Sequence, residues 1–198
     1  TGTNGKSSVA DFYYQILKFN KRKVASIGTL GVKSNNKYIN LSNTTIDPIQ
    51  LGKILNYLKN QKVDDVILEA SSHGLSQNRL DGLKFNSGIF TNLSQDHLDY
   101  HKNLKDYLIA KLYLFEKLLS IKGNVITDEK IPEFRNIKKI ALKRNLKIYS
   151  INNPKNNFKI LSHYFVGEKQ MLTIKYKNLI KNIKLNLIAV SYTHLKLP

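Results

Sequence analysis

Apolar positions recur at helical spacing early in the chain. Val9, Phe12, Tyr13, Ile16 and Leu17 share one face, which predicts a helix over residues 9–19 behind a Gly-containing loop at 1–8. Residues 24–32 read as a strand and 37–41 as a shorter one. Asp47-Pro48, an N-cap followed by proline at the first helical position, opens a second helix through Leu51, Ile54, Leu55 and Leu58 to about Gln61. The run Val66-Ile67-Leu68 within 63–70 predicts a strand buried on both faces. A further strand follows at 87–93. The clearest helical pattern covers 104–120, with Tyr107, Leu108, Lys111, Leu112, Phe115 and Leu119 on one side. Strand (124–127), helix (132–144) and strand (146–151) continue the alternation. The period then changes to two, over 158–166, 170–176 and 180–188, with turns at Gly167-Glu168 and Lys177-Asn178. These patterns predict an α/β fold: a mostly parallel sheet with helices on both faces, plus a small antiparallel meander near the C-terminus.

Composition narrows the classes. The 198 residues are 41% hydrophobic, enough for a core, and contain no Cys. Disulfide scaffolds, thiolate metal sites and Cys nucleophiles are therefore excluded, and a reducing, cytoplasmic setting is expected. No apolar run is long enough for membrane insertion and no signal peptide is visible, so a soluble protein is expected. The net charge of +18 suggests nucleic acid at first. Residues 1–100, however, hold 12 basic against 8 acidic side chains, and residues 101–198 hold 20 against 6. Only Arg22, Arg79, Arg135 and Arg144 are arginines, whereas base readout and phosphate clamping favour arginine. The excess reads as a lysine-rich compositional bias, and no nucleic-acid partner is expected.

The candidate chemistry lies mainly in the first half. Thr1-Gly2-Thr3-Asn4-Gly5-Lys6-Ser7-Ser8, leading into a helix, has the make-up of a phosphate-binding loop, which makes the sheet P-loop-type. Lys6 would reach the β- and γ-phosphates of a nucleotide and Ser7 would face Mg²⁺; the plain alternative is a Gly-rich turn beside a lysine. Glu69 ends the strand that holds Val66–Leu68, where open parallel sheets place their ligand crevice. It could hold Mg²⁺ or cap a neighbouring turn. His97 and His101, with Asp96 and Asp99, follow the next strand at a spacing compatible with metal ligands or with an exposed capping turn. Lys111 lies on the apolar side of its helix, where it is snorkelling, salt-bridged or chemically special. Asn43-Thr44-Thr45 and the stretch from Ser71 through Gln77 to Arg79 are polar segments beside strand ends, suited to an anionic ligand. No nucleophile-elbow spacing supports Ser71 or Ser72 as a nucleophile.

Together TGTNGKSS, NTT, EASSHGLSQNR, TNLSQDHLDYH and the downstream IAK resemble the central ATP-binding domain of the Mur ligases, and their order and spacing are most similar to the MurE-type branch. The resemblance runs from Thr1 to about Ile188. It implies ATP bound by Thr3, Asn4, Gly5, Lys6, Ser7 and Ser8, and Mg²⁺ held with Ser7, Glu69, His97 and a carbamylated Lys111. It also implies a UDP-MurNAc-dipeptide held by Asn43, Thr44, Thr45, Ser71, Gln77 and Arg79. The implied catalytic groups are Lys6, Glu69, His97 and Lys111. The implied reaction adds the third amino acid, meso-diaminopimelate or L-lysine, to UDP-MurNAc-L-Ala-D-Glu through an acyl-phosphate, releasing ADP and phosphate. The enzyme is expected to be monomeric.

Residues 1–188 thus read as the central domain without the strand that feeds the phosphate loop, and without the family's N-terminal and C-terminal domains. This fragment alone is expected to bind nucleotide weakly and not to ligate. Residues 189–198 fit no element of the resemblance and read as a non-native or frame-shifted end, so His194 is left out of any site. Two rivals stand beside this reading: a folylpolyglutamate synthase-like ligase, which shares the loop, the acidic strand end and the histidine, and a basic nucleic-acid-binding module in residues 101–198.

Overall fold

The computed structural model describes residues 1–34, 37–97, 99–151, 153, 158–167 and 169–185. Strand β1 (Val24–Gly28) is buried throughout and forms the middle of the first sheet. On one side it pairs antiparallel with β2 (Gly31–Ser34), which pairs with β3 (Lys37–Ile39); on the other it pairs parallel with β4 (Asp65–Leu68). The predicted single strand over 24–32 is therefore a hairpin. Gly31, at φ 78°, supplies the left-handed residue that lets the chain reverse after Thr29-Leu30. The second sheet is parallel in the order β5 (Phe85–Ile89), β6 (Leu119–Thr127), β7 (Lys147–Ser150). The meander appears as predicted, with β9 (Lys169–Tyr176) between β8 (Phe158–Val166) and β10 (Leu179–Leu185). Residues 186–198, including the tail at 189–198 and His194, lie outside the described residues, as does Glu168 of the first predicted turn.

Helix α1 (Lys6–Phe19) starts directly at the end of the loop and packs on β1 and β4. Helix α2 (Pro48–Asn60) starts where Asp47 predicts, the Asp47 carboxylate accepting from Gln50 N at 2.9 Å. A short helix α3 (Ser72–Ser76) packs on α4 (Leu104–Tyr113), and α5 (Phe134–Lys143) follows β6. The pattern over 104–120 is only partly α-helical: after Tyr113 it widens into a π-helical turn, Leu114–Leu118, and Leu119 already begins β6. The Arg144 guanidinium closes that end, donating to Phe115 O at 2.8 Å and Leu119 O at 2.9 Å.

A single buried cluster runs through the first two sheets, from Ala25, Ile27 and Leu58 to Phe90, Phe115, Leu119 and Ile137. The expected two-sided burial of β4 is not met, since Val66 is 40% exposed. Its free edge borders an open cleft rather than another strand. Among the described residues no helix is long and apolar enough to cross a membrane. The carboxyl ends of β4 and β5 meet the loop and the first turn of α1, Asn92 bonding Asn4 and Glu69 bonding Ser7, while Gly28 at the end of β1 lies against Glu69.

Candidate active site

The loop is clamped onto the segment that follows β5. Thr3 N donates to Asn92 O and Asn4 N to Asn92 Oδ1, both at 2.9 Å, while Thr91 Oγ1 donates to Asn4 O at 2.7 Å. Gly2, at φ 148°, passes so close to Thr91 that a Cβ would stand 1.9 Å from its hydroxyl. Gly5 is the left-handed residue that turns the loop into the N-terminus of α1. Thr3 is buried, its hydroxyl accepting from Ser94 N at 3.0 Å and lying 3.3 Å from the Tyr107 hydroxyl. Lys6 folds back over the loop, donating to Gly2 O at 3.0 Å and Thr3 O at 2.7 Å. Burial lowers its pKa, against the attraction of Glu69 and Asp96.

Glu69 lies just beyond β4 and is buried. Its carboxylate accepts from Ser7 Oγ at 2.8 Å and from Thr29 N at 2.9 Å. The absence of a side chain at Gly28 makes this possible, because a Cβ there would stand 2.1 Å from Glu69 Oε1. Among the described residues no cationic side chain ion-pairs with it. A buried carboxylate beside a serine hydroxyl, with the attraction of Lys6 but no ion pair among the described residues, is a hard oxygen donor set that suits Mg²⁺.

Lys111 is 1% exposed and makes no ion pair among the described residues, so neither snorkelling nor a salt bridge describes it. Its Nζ donates to Gly2 O at 2.8 Å and sits 4.1 Å from the centre of the Tyr107 ring, one helical turn back. Burial, then the charge of Lys6, lowers its pKa to about 7. A fraction of the amine is thus neutral at physiological pH, which an ordinary surface lysine does not offer.

His97 is a half-exposed residue at φ 53° with Nε2 3.6 Å from Asp96 Oδ2. It does not share a regular helix with His101; a single turn joins them through His101 N to His97 O at 2.9 Å. The ring of His73 stands near both, with centroids 5.0 Å from His97 and 5.7 Å from His101. Burial and then the neighbouring imidazole lower the pKa of His73 and of His101. Among the described residues no three His, Asp or Glu are grouped to hold a metal ion, so Glu69 and His97 are not joined by a third such ligand.

The remaining candidates form the opposite wall. Thr45 ties it together: its hydroxyl donates to Glu69 O at 2.8 Å and accepts from Ser71 N at 2.9 Å, and its carbonyl accepts from Arg79 Nη1 at 2.6 Å. Thr44 bonds Thr29 hydroxyl to hydroxyl at 2.9 Å. Ser71 Oγ caps α3 by accepting from Gly74 N, which occupies the hydroxyl a nucleophile would need free. One pocket of about 520 Å³ is lined by Thr3 to Ser8, Asn43 to Thr45, Ser71, Arg79, His97 and Lys111, with Thr29, Ser72 and His73 added. Gln77 is not on that wall; it is exposed and donates to the Tyr100 hydroxyl at 3.0 Å. Thr29, His73 and Tyr107 are the residues that reading the sequence missed. The i, i+4 spacing of Tyr107 and Lys111 was the available signal for the last.

The family model described as the Mur ligase middle domain matches residues 1–192. The chain belongs to that family. A similar protein, the UDP-N-acetylmuramoyl-L-alanyl-D-glutamate–2,6-diaminopimelate ligase of Zymomonas mobilis subsp. mobilis, is 37% identical over 189 residues, 96% of this chain and 39% of the relative. A solved structure of a ligase of the same name superposes with a TM-score of 0.76 at 26% identity, covering 97% of this chain and 39% of that one. Folylpolyglutamate synthetase from Lactobacillus casei shares the fold, with a TM-score of 0.61 at 11% identity over 96% of this chain and 52% of its own. The chain therefore spans about two fifths of the length of the Mur ligases it resembles.

Proposed function

We propose that this Mur ligase middle domain is the ATP-binding part of a cytoplasmic, monomeric ligase that joins 2,6-diaminopimelate to the D-glutamate carboxylate of UDP-MurNAc-L-Ala-D-Glu. The observation that carries the reading is the convergence in one pocket of a phosphate-type loop and a buried lysine with a partly neutral amine. The pocket's far wall carries Arg79, and the buried carboxylate of Glu69 stands behind Ser7. The 37% identity to a ligase of that name supports this substrate pair, and L-lysine is the alternative amino acid.

In this reading the loop amides and Lys6 bind the triphosphate of ATP, Lys6 releasing the Gly2 and Thr3 carbonyls it now holds. Ser7, Glu69, His97 and a carbamate of Lys111 would hold Mg²⁺, which when bound offsets charge on the transferring phosphoryl group. An oxygen of the D-glutamate carboxylate bonds to the γ-phosphorus as the bond to ADP breaks. The amine of the amino acid then bonds to the acyl carbon, loses a proton, and phosphate leaves. Asn43, Thr44, Thr45, Ser71, Gln77 and Arg79 orient the carboxylate-bearing substrate, so catalysis is positioning and electrostatics without a protein nucleophile.

Phosphate release by the whole ligase tests this. The expected result is release dependent on UDP-MurNAc-L-Ala-D-Glu together with diaminopimelate, with none for a folate and glutamate. Release with the folate pair alone would replace this reading by the folylpolyglutamate one.

A further inference from the structure

His73, Tyr100, His101 and Tyr107 have no task in the reaction above, yet their rings form one packed cluster beside the pocket. The Tyr100 ring lies against His73, with centroids 4.1 Å apart and planes tilted by 41°. His73 in turn meets His97 edge to face at 5.0 Å and 86°, and Tyr107 meets His97 at 6.1 Å and 71°. His101, only 6% exposed, packs 4.9 Å from Tyr100 and 5.0 Å from Tyr107. These contacts matter for His97, which stands at φ 53° in an irregular turn and is half-exposed. Its ion pair with Asp96, at 3.6 Å between two half-exposed groups, is a weak hold. Edge-to-face packing is a preferred ring geometry, so His73 and Tyr107 are what orient the imidazole.

Tyr100 is the member of the cluster that also reaches the substrate wall. Its hydroxyl accepts from Gln77 Nε2 at 3.0 Å and lies 3.3 Å from Ser76 Oγ, both at the end of α3. Its backbone N donates to His97 O at 3.2 Å. Gln77 is exposed, and the one hydrogen bond its side chain makes among the described residues goes to Tyr100. Gln77 Oε1 is left to accept from an N–H or hydroxyl of a bound ligand.

We propose that Tyr100 is a positioning residue for both sides of the site: its hydroxyl sets the Gln77 amide, and its ring, through His73, sets the His97 imidazole. This rests on the proposed roles of Gln77 at the substrate and His97 at Mg²⁺, whereas the packing itself is independent of them. Losing the hydroxyl alone releases Gln77 and leaves the ring cluster in place. Losing the ring as well takes away the support behind His73 and so loosens His97.

The test compares Tyr100→Phe with Tyr100→Leu in two measurements. The first is the side-chain rotamer of His97, read from three-bond couplings in the full chain labelled at histidine, without nucleotide or metal. The wild-type and phenylalanine chains should show one His97 rotamer and the leucine chain an average over several, while His163 in β8 is the same in all three. The second is steady-state kinetics of the whole ligase with UDP-MurNAc-L-Ala-D-Glu. Tyr100→Phe should raise KM for that substrate about 3- to 10-fold, as for one lost hydrogen bond, with kcat changed by no more than about twofold. Tyr100→Leu should in addition lower kcat by about 3- to 10-fold, as for one lost ring contact. If the leucine chain does not fold, Tyr100→Met takes its place, filling the gap with an adaptable side chain. His97 averaged in the wild-type or phenylalanine chain, His97 fixed in the leucine chain, or an unchanged KM with phenylalanine overturns the proposal. A wild-type ligase that does not use this substrate overturns the proposed function instead, and the His97 rotamer still decides the role of Tyr100.

Discussion

Lys111 shows best how a residue's chemistry follows from its surroundings. Its pKa of about 7, against 10.5 when unfolded, means that folding expels a proton between those values. The unfolded chain then binds more protons, so stability rises with pH from about 7 to about 10.5, and the full burial penalty applies below 7. Replacing Lys111 with Met should therefore stabilise the chain at pH 7, by up to a few kcal/mol at most, and by less at pH 10. Urea denaturation in CO₂-free buffer at the two pH values checks this; equal gains would show that the lysine is not desolvated. In the whole ligase, Lys111→Ala should lower phosphate release by about 100-fold or more, with partial recovery on adding a small carboxylate such as formate. Gly28→Ala drives a methyl into Glu69 Oε1. It should cost about 1–3 kcal/mol and displace the carboxylate from Ser7. Activity falling further than stability would mark that displacement.

At the scale of elements, the chain's punctuation was readable wherever a local bond enforces it. Asp47-Pro48 starts α2 because the Asp47 side chain accepts from Gln50 N, and Asp47→Ala should lower stability by about 1 kcal/mol in thermal unfolding. The loop at residues 1–5 was legible for the same reason, since Gly2 and Gly5 adopt positive φ that few residues tolerate. What the sequence hid were features decided across the fold. Residues 24–32 carry the composition of one strand, and only the antiparallel pairing of β1 with β2 shows that Thr29-Leu30 is a turn. The helical period over 104–120 gives no sign of the π turn, because Leu114, Phe115 and Leu118 stay buried through it. Its freed carbonyls are met by Arg144, which is far along the chain and invisible to periodicity. Arg144→Met should cost about 1–3 kcal/mol, and a neutral effect in chemical denaturation would remove that role.

For the whole molecule, the charge of +18 finds its explanation in where the arginines go. Arg22 pairs with Asp65 at 2.7 Å, Arg79 holds Thr45 O, and Arg144 holds the π turn. Each of these three is used within the fold, so the exposed excess comes from lysines and from Arg135, which is exposed. A salt titration against single- and double-stranded nucleic acid should accordingly find only weak, sequence-independent binding, no tighter than about 10⁻⁴–10⁻⁶ M at physiological salt. Tighter binding that distinguishes sequences would revive the nucleic-acid module. The site itself was legible as a set of residues, because strand ends and loops collect at one edge of parallel sheets. Gln77 falls outside the pocket because α3, which was not foreseen, turns it toward Tyr100. The central claim, that this pocket passes the γ-phosphoryl group of ATP to a carboxylate, is tested most directly by oxygen tracing. With the D-glutamate carboxylate of UDP-MurNAc-L-Ala-D-Glu labelled with ¹⁸O, the whole ligase should release phosphate carrying one labelled oxygen per turnover. Unlabelled phosphate from a ligation that still proceeds would contradict the acyl-phosphate route.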